Sequence, residues 1–215
     1  MECGVPPARL NGLAVLGRLR EALVAANQAL NLTRITSEAD YWWLHVADSL
    51  SVGRAWPAIL TEPLAVADVG CGAGFPLLPL AWANPALRGT GIESRRKKAA
   101  FVAEQIRALG LEGAGVVAGR AREAARRPEH AGRYDAVVLR AAGAAGKLVR
   151  ECRGLLRPAE GSRMVFYKTP PAVAAERAEI EREAGKFALA VEVSPAFTLP
   201  GNRGERQFVT LLLGK

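Results

Sequence analysis

The stretch Leu64–Ala81, LAVADVGCGAGFPLLPLA, constrains the fold more than any other part of the chain. An apolar run of strand length ends on Asp68, and Gly70, Gly72 and Gly74 then alternate with Cys71 and Ala73. Glycine adopts positive φ and admits close backbone approach, but its conformational entropy makes three in so short a span costly in a plain connection. A buried strand, a tight glycine turn and an apolar helix opening near Phe75-Pro76 form the first unit of a parallel α/β sheet. In such sheets ligands bind beyond the carboxyl ends of the strands, where this turn would lie.

Downstream the alternation repeats. GTGIE reads as a second strand, and SRRKKAAFVAEQIRALG as a helix with Ser94 as N-cap and Gly110 as its stop. AGVVAG is a third strand; YDAVVLRA is a fourth, followed by a helix through Leu155-Leu156 that ends before Pro158. SRMVFYK is a fifth, and Thr169-Pro170-Pro171 begins a helix running to Gly185. ALAVEVS and RQFVTLLLG close the chain as two strands with no helix between them. Right-handed βαβ units in this order predict an α/β, Rossmann-like domain over residues 63–215. Its sheet is expected to be seven-stranded and mostly parallel, with one antiparallel strand. Upstream, Leu10, Leu13, Leu16, Leu19 and Leu23 recur at helical spacing to about Ala29. YWWLHVADSLSV reads as a second helix ending before Trp56-Pro57, so residues 1–62 are expected to form a small helical extension. Trp42 and Trp43 read as core residues rather than a base-stacking pair.

Charge bears on partners. The chain of 215 residues has 29 Lys+Arg against 21 Asp+Glu, a net +8, with arginine clustered at Arg95–Lys98 and Gly119–Arg127. Arginine suits planar, bidentate phosphate contacts, which points to a polyanionic partner. Cys3, Cys71 and Cys152 are odd in number and far apart, and His45 and His130 do not complete a zinc pattern with them, so no metal is expected. No run approaches the ~20 apolar residues of a membrane span, and MECGVPPARL lacks the regions of a secretory signal. A cytoplasmic monomer without a membrane partner is the expectation.

The glycine turn also selects a cofactor. Glu93 ends the second strand about 20 residues beyond the turn, where a carboxylate can accept both hydroxyls of a ribose. The dinucleotide fingerprint wants a third glycine where Phe75 stands. Asp68, just before the turn, would repel a pyrophosphate but favours a sulfonium carrying an amino-acid tail. The pattern therefore favours S-adenosylmethionine (SAM) over NAD. The end of the fourth strand reads LRAAGAAG, without the N-P-P-Y or D-P-P-Y of amino-group methyltransferases; TPPA at Thr169–Ala172 lies one strand too late. Cys152 falls within a helix, which favours burial over a role as nucleophile.

Several motifs together are similar to one family. They are NLT (Asn31–Thr33), HVADSL (His45–Leu50), DVGCGAGFPLLPLA (Asp68–Ala81) and ESRRKKAAFV (Glu93–Val102). GRARE (Gly119–Glu123), LRA (Leu139–Ala141), FYKT (Phe166–Thr169) and LPGNRGERQFVTLLLGK (Leu199–Lys215) complete the set. The chain resembles the RsmG/GidB family of 16S rRNA guanine-N7 methyltransferases, within the class I SAM-dependent methyltransferases. Cys71 and Thr169 stand where many members carry threonine and glycine. The resemblance implies that Asp68, Gly70, Gly72, Gly74 and Phe75 cradle the methionine part of SAM. Glu93 would take the ribose and the backbone at Ala121-Arg122 the adenine. Arg140, His45 and Asp48 would be catalytic, with Arg140 also touching the cofactor. Ser49, Arg95, Lys97, Lys168, Arg203 and Arg206 would meet 16S rRNA in the small ribosomal subunit or its precursor. A SAM-dependent enzyme acting on another RNA or on a small molecule is the alternative.

Overall fold

The segment AVADV becomes β1 (Ala65–Val69), an interior strand of the sheet in the computed structural model, which describes residues 12–214. β2 (Arg88–Glu93) and β4 (Ala136–Arg140) flank it, both parallel, with β3 (Ala114–Ala118) beyond β2 and β5 (Arg163–Lys168) beyond β4. β6 (Leu189–Val193) and β8 (Glu205–Leu213) complete the order β3-β2-β1-β4-β5-β8-β6, in which β8 runs antiparallel to both neighbours. The expected sheet thus forms, with one addition. A two-residue strand, β7 (Phe197–Thr198), pairs with Arg206 and Glu205 at the start of β8.

Side chains alternate across the strands with period two and fill two cores. Ala136, Val138 and Val165 face a cluster with Leu16, Leu19 and Leu23 of α1 (Leu13–Leu30), Leu77 and Leu78 of α2 (Leu77–Ala83), and Phe101 and Val102 of α3 (Arg96–Ala108). Val137, Leu139, Met164 and Phe166 face the other cluster. There they meet Ala121 and Ala124 of α4 (Ala121–Ala124), Leu148 and Val149 of α5 (Ala145–Cys152), and Val173 and Ile180 of α6 (Pro170–Gly185). Leu16, Leu19 and Leu23 of the leucine stripe therefore lie in the same core as the sheet, whereas Leu13, in the first turn of α1, is exposed; Leu10 of that stripe, like Cys3, lies outside the described residues.

Two helices depart from expectation at their ends. The segment after α1 is a mixed helical run: α-helix over Glu38–Asp40, a π-helix over Tyr41–Ala47, α-helix over Asp48–Leu50 and a 3-10 turn over Ser51–Arg54. Ser37 caps it by accepting from the Asp40 N–H at 3.1 Å. Within it the Asp48 N–H reaches the Trp43 carbonyl, five residues back, the signature of a widened turn. At α3 the N-cap position falls to Arg95 rather than Ser94. The Glu93 carboxylate supplies the missing acceptor, taking the Arg95 N–H at 2.8 Å.

Gly113, before β3, passes so close to β2 that a Cβ there would lie 2.5 Å from the Leu87 carbonyl oxygen. Backbone cannot yield as a side-chain tip can, so Gly113→Ala is expected to destabilise the fold by about 1–3 kcal/mol. Urea unfolding monitored by circular dichroism checks this, a midpoint equal to wild type being the contrary result.

Candidate active site

Where β1 ends, Gly70, Gly72 and Gly74 all take positive φ, at 73°, 59° and 94°. A Cβ on Gly70 would crowd the Ala142 Cβ at 3.1 Å, whereas one on Gly72 has only the Gly70 carbonyl near it, at 3.8 Å, and would occupy cavity space. Glu93 closes the turn from β2: one oxygen accepts the Gly72 N–H at 3.0 Å and the other the Arg95 N–H. Beneath the turn lies Asp68, 1 % exposed. Its Oδ2 accepts the Leu77 N–H at 2.9 Å, which fixes the start of α2, while its Oδ1 has no partner among the described residues. Burial pushes the Asp68 carboxyl up to about 7, against the Leu77 N–H bond, which lowers it. An unpartnered buried carboxylate oxygen under a glycine cradle fits a ligand that brings an ammonium group. Cys71 is buried, and Gly91 of β2 leaves the space its sulfur fills; burial raises its thiol well above the ordinary range, so it packs and does not react.

Beyond Phe75, two separate strands send an arginine to Asp48 of the mixed helix. Arg140, at the end of β4, donates to its Oδ2 at 3.0 Å. Arg206 of β8 donates to Oδ1 at 2.8 Å and to Oδ2 at 3.3 Å. Arg140 also donates to the Leu44 carbonyl at 2.9 Å, within the widened helical turn, and its Nη2 lies 3.3 Å from His45 Nδ1. A guanidinium only donates, so Nδ1 accepts and the ring proton sits on Nε2, which donates to Thr33 Oγ1 at 3.0 Å. Burial, reinforced by the Arg140 charge, lowers His45 to about 3, so the ring is neutral. The ring stacks on Phe75, centroids 4.3 Å apart, and the Arg140 guanidinium carbon lies 5.7 Å from the centroid of the same Phe75 ring. Two guanidiniums on one carboxylate leave this cluster with one uncompensated positive charge. Ala141, directly after Arg140, holds φ at 53°, a strained conformation for a residue with a Cβ.

Glycine turn and cluster form opposite walls of one cavity of about 1040 Å³. It is lined by Gly70, Gly72, Phe75, Glu93, His45, Asp48, Arg140, Arg95, Lys168 and Arg206, so most residues expected from the sequence meet here. A second lobe of about 570 Å³ shares Gly70, Ser94 and Ala142 and is walled by Ala121 and Arg122, the pair that the resemblance assigns to adenine. Other residues depart from expectation. Ser49 is buried, its hydroxyl given to the His45 carbonyl, so it supports the cluster and offers no surface to RNA. Lys97 is exposed outside the cavity, and its neighbour Lys98 takes the lining position. Arg203 pairs with Asp40 at 3.0 Å, pinning the 200–204 loop to the mixed helix beside Trp43, whose indole packs on Gly201. Lys168 lines the cavity but is held by Glu176 at 2.8 Å. Thr33 and Tyr167 were not singled out by sequence as site residues. Thr33 fixes His45, and the Tyr167 hydroxyl donates to the Ser49 carbonyl at 2.8 Å. Only the NLT motif, whose Thr33 backbone is held by the Asn27 side chain through two bonds of 2.8 and 2.9 Å, pointed that way.

The two buried groups pull stability in opposite directions with pH. His45, lowered to about 3, contributes stability that is full above its unfolded value near 6.5 and is lost as pH falls toward 3. Asp68, raised to about 7, contributes stability that is full below 3.8 and is lost as pH rises through 7. Between about pH 4 and 6.5 the slopes oppose each other, so wild type is expected to be nearly pH-insensitive there. Asp68→Asn should then expose the His45 slope, losing up to about 1.4 kcal/mol per pH unit on acidification. His45→Gln should show the reverse slope. Urea midpoints at pH 4.5, 5.5 and 6.5 decide, and parallel curves for all three proteins would contradict the assignment.

Comparison with known proteins agrees with this geometry. The family model for rRNA small subunit methyltransferase G matches residues 13–208. A ribosomal RNA small subunit methyltransferase G of Deinococcus deserti is 41% identical over 179 residues, covering 83% of this chain and 71% of that protein. The protein of the same name from Lactobacillus delbrueckii subsp. bulgaricus is 34% identical over 192 residues, covering 87% and 77%. Among solved structures, an O-methyltransferase of Bacillus cereus in complex with SAH superposes with a TM-score of 0.61 at 16% identity, over 91% of this chain and 90% of that one. That likeness concerns the fold alone. The match across nearly the whole described chain places this protein in the rRNA small subunit methyltransferase G family.

Proposed function

We propose that the chain transfers a methyl group from SAM to N7 of a guanine in 16S rRNA, acting as a cytoplasmic monomer on the small ribosomal subunit or its precursor. The observation that carries this reading is the charge state of the cavity. Among its described lining residues, Asp48 is occupied by two arginines, Glu93 by backbone N–H groups, and His45 is neutral with its acceptor nitrogen taken. Lys168 is ion-paired, and burial raises Tyr167 and Cys71. Glu93 alone keeps free lone pairs, at the cofactor end of the cavity, whereas around Arg140 donors are plentiful and no acceptor is free. That suits a nucleophile needing no deprotonation, and guanine N7 has a lone pair and no proton.

SAM, when bound, supplies a methyl group on a sulfonium, open to in-line attack by such a lone pair. Asp68 Oδ1 takes its ammonium, the glycine turn its methionine part, Glu93 the ribose hydroxyls and the Ala121-Arg122 wall the adenine. Glu93 retains unused lone pairs for this despite its two backbone bonds. Arg140 keeps N–H donors beyond those given to Asp48, Leu44 and His45, and presents them to guanine O6, the usual arginine contact on that edge. Asp48 and neutral His45 fix the plane of that guanidinium. With N7 as nucleophile, the departing sulfur would keep the electron pair of its methyl bond and the base would take the positive charge, so the residues of this cavity have no proton to move. Orientation of this kind supplies several kcal/mol of the barrier.

Methyl transfer from labelled SAM, offered to deproteinised 16S rRNA and to assembled small subunits, tests the reading; label found only in small metabolites would refute it. Arg140→Lys keeps the charge but loses the fork that spans Asp48, Leu44 and His45. It is expected to lower kcat about 10²–10³-fold with SAM affinity by calorimetry changed only a few-fold. Full activity in this variant would remove Arg140 from the chemistry.

A further inference from the structure

A second basic feature lies on the far side of the adenine lobe. Between α4 and α5 runs a cleft of about 490 Å³ lined by Arg122, Arg126, Lys147, Arg150 and Arg153, with Glu151 as its single acidic lining residue. It joins the cofactor cleft, because Arg122, Arg126, Lys147 and Glu151 line the adenine lobe too. Lys147, Arg150 and Arg153 recur at helical spacing and so share one face of α5 and its continuation.

These cations are poorly compensated. Arg122 and Arg126 enter no ion pair among the described residues. Lys147 meets Glu151 only at 3.8 Å, in solvent. Arg150 bonds Glu183 at 3.0 Å, but that carboxylate also serves Lys186 at 2.9 Å and Arg182 at 3.8 Å. Arg153 stacks on Phe187, 4.3 Å from the ring centroid, which fixes the plane of its guanidinium. The bound cofactor does not call for them: its sulfonium and ammonium outweigh its one carboxylate, and like charge is repelled. A concave groove whose cations outnumber the carboxylates that serve them calls instead for closely spaced anions.

We propose that the α4–α5 cleft is a second RNA-docking site, gripping the phosphodiester backbone of the substrate strand away from the guanine in the catalytic cavity. This rests on the rRNA methyltransferase reading. Phosphate contacts set register and affinity without reading sequence, which is the task left once Arg140 has engaged the base.

The test uses Arg150 and Arg153, which line this cleft and not the adenine lobe. Steady-state methylation of deproteinised 16S rRNA and RNA affinity across a potassium chloride series are measured for wild type, Arg150→Gln/Arg153→Gln and Arg150→Lys/Arg153→Lys. The glutamine pair is expected to raise KM for RNA about tenfold and to reduce the slope of log affinity against log salt by roughly 1.5. It should leave kcat and SAM affinity within twofold, and the lysine pair should restore both RNA values. Wild-type KM and salt slope in the glutamine pair would overturn the docking site while leaving the methyltransferase reading intact. So would glutamine and lysine pairs equally impaired, since packing rather than charge would then be at work. Loss of binding to phosphatidylglycerol vesicles with KM for RNA unchanged would overturn it in favour of a lipid surface. No transfer by wild type to any rRNA would instead sink the methyltransferase reading, and the docking site with it.

Discussion

One carboxylate holds three distant parts of the chain together. Asp48 comes from the mixed helix, Arg140 from the end of β4 and Arg206 from β8, and all three meet through bonds of 2.8 to 3.3 Å in a nearly dry setting. A buried carboxylate needs such partners, and a buried guanidinium needs its carboxylate. Removing any one member strands a charge, so the position of the helical run over the sheet is set by electrostatics as well as by the leucine core. The same bonds orient the arginine that faces the cavity. Fold and site therefore share this interaction.

The opposite wall is built on a different principle. Around the glycine turn, backbone N–H groups and side-chain carboxylates satisfy one another, with Gly72 and Arg95 bonded to Glu93 and Leu77 bonded to Asp68. The loop is preformed, leaving one buried oxygen of Asp68 open. An acidic cradle in one part of the cavity and a cationic, donor-rich cluster without a free base in the other give it two unlike electrostatic halves.

Much of this was legible in the chain. Period-two runs such as AVADV and RMVFYK, separated by helical stretches with glycine and proline punctuation, carry the strand order because crossover handedness leaves few alternatives. The acidic residues at strand ends, Asp68 and Glu93, were legible for the same reason: topology fixes where a strand ends. The mixed helix was not. A π turn over Tyr41–Ala47 arises from tertiary demands on Leu44 and Asp48, and no local propensity encodes it. Ser94 is a good cap by residue type, but the helix starts one residue later, with Arg95 at the N-cap position and its N–H given to the Glu93 carboxylate. Ser49 sits inside a motif shared with its neighbours His45 and Asp48, yet helical geometry turns it inward. Motif membership says nothing about which face a residue takes.

The Asn27–Thr33–His45–Arg140 chain of hydrogen bonds carries one more meaning. Asn27, near the end of α1, clamps the Thr33 backbone, the Thr33 hydroxyl accepts the hydrogen bond of His45 Nε2, and Arg140, which only donates, sets that tautomer from the other side of the ring. The segment that precedes the sheet is thus not a cover laid over a finished enzyme. It brings His45 and Asp48, the two side chains that aim Arg140, so the sheet carries the arginine and the segment before it carries what points it.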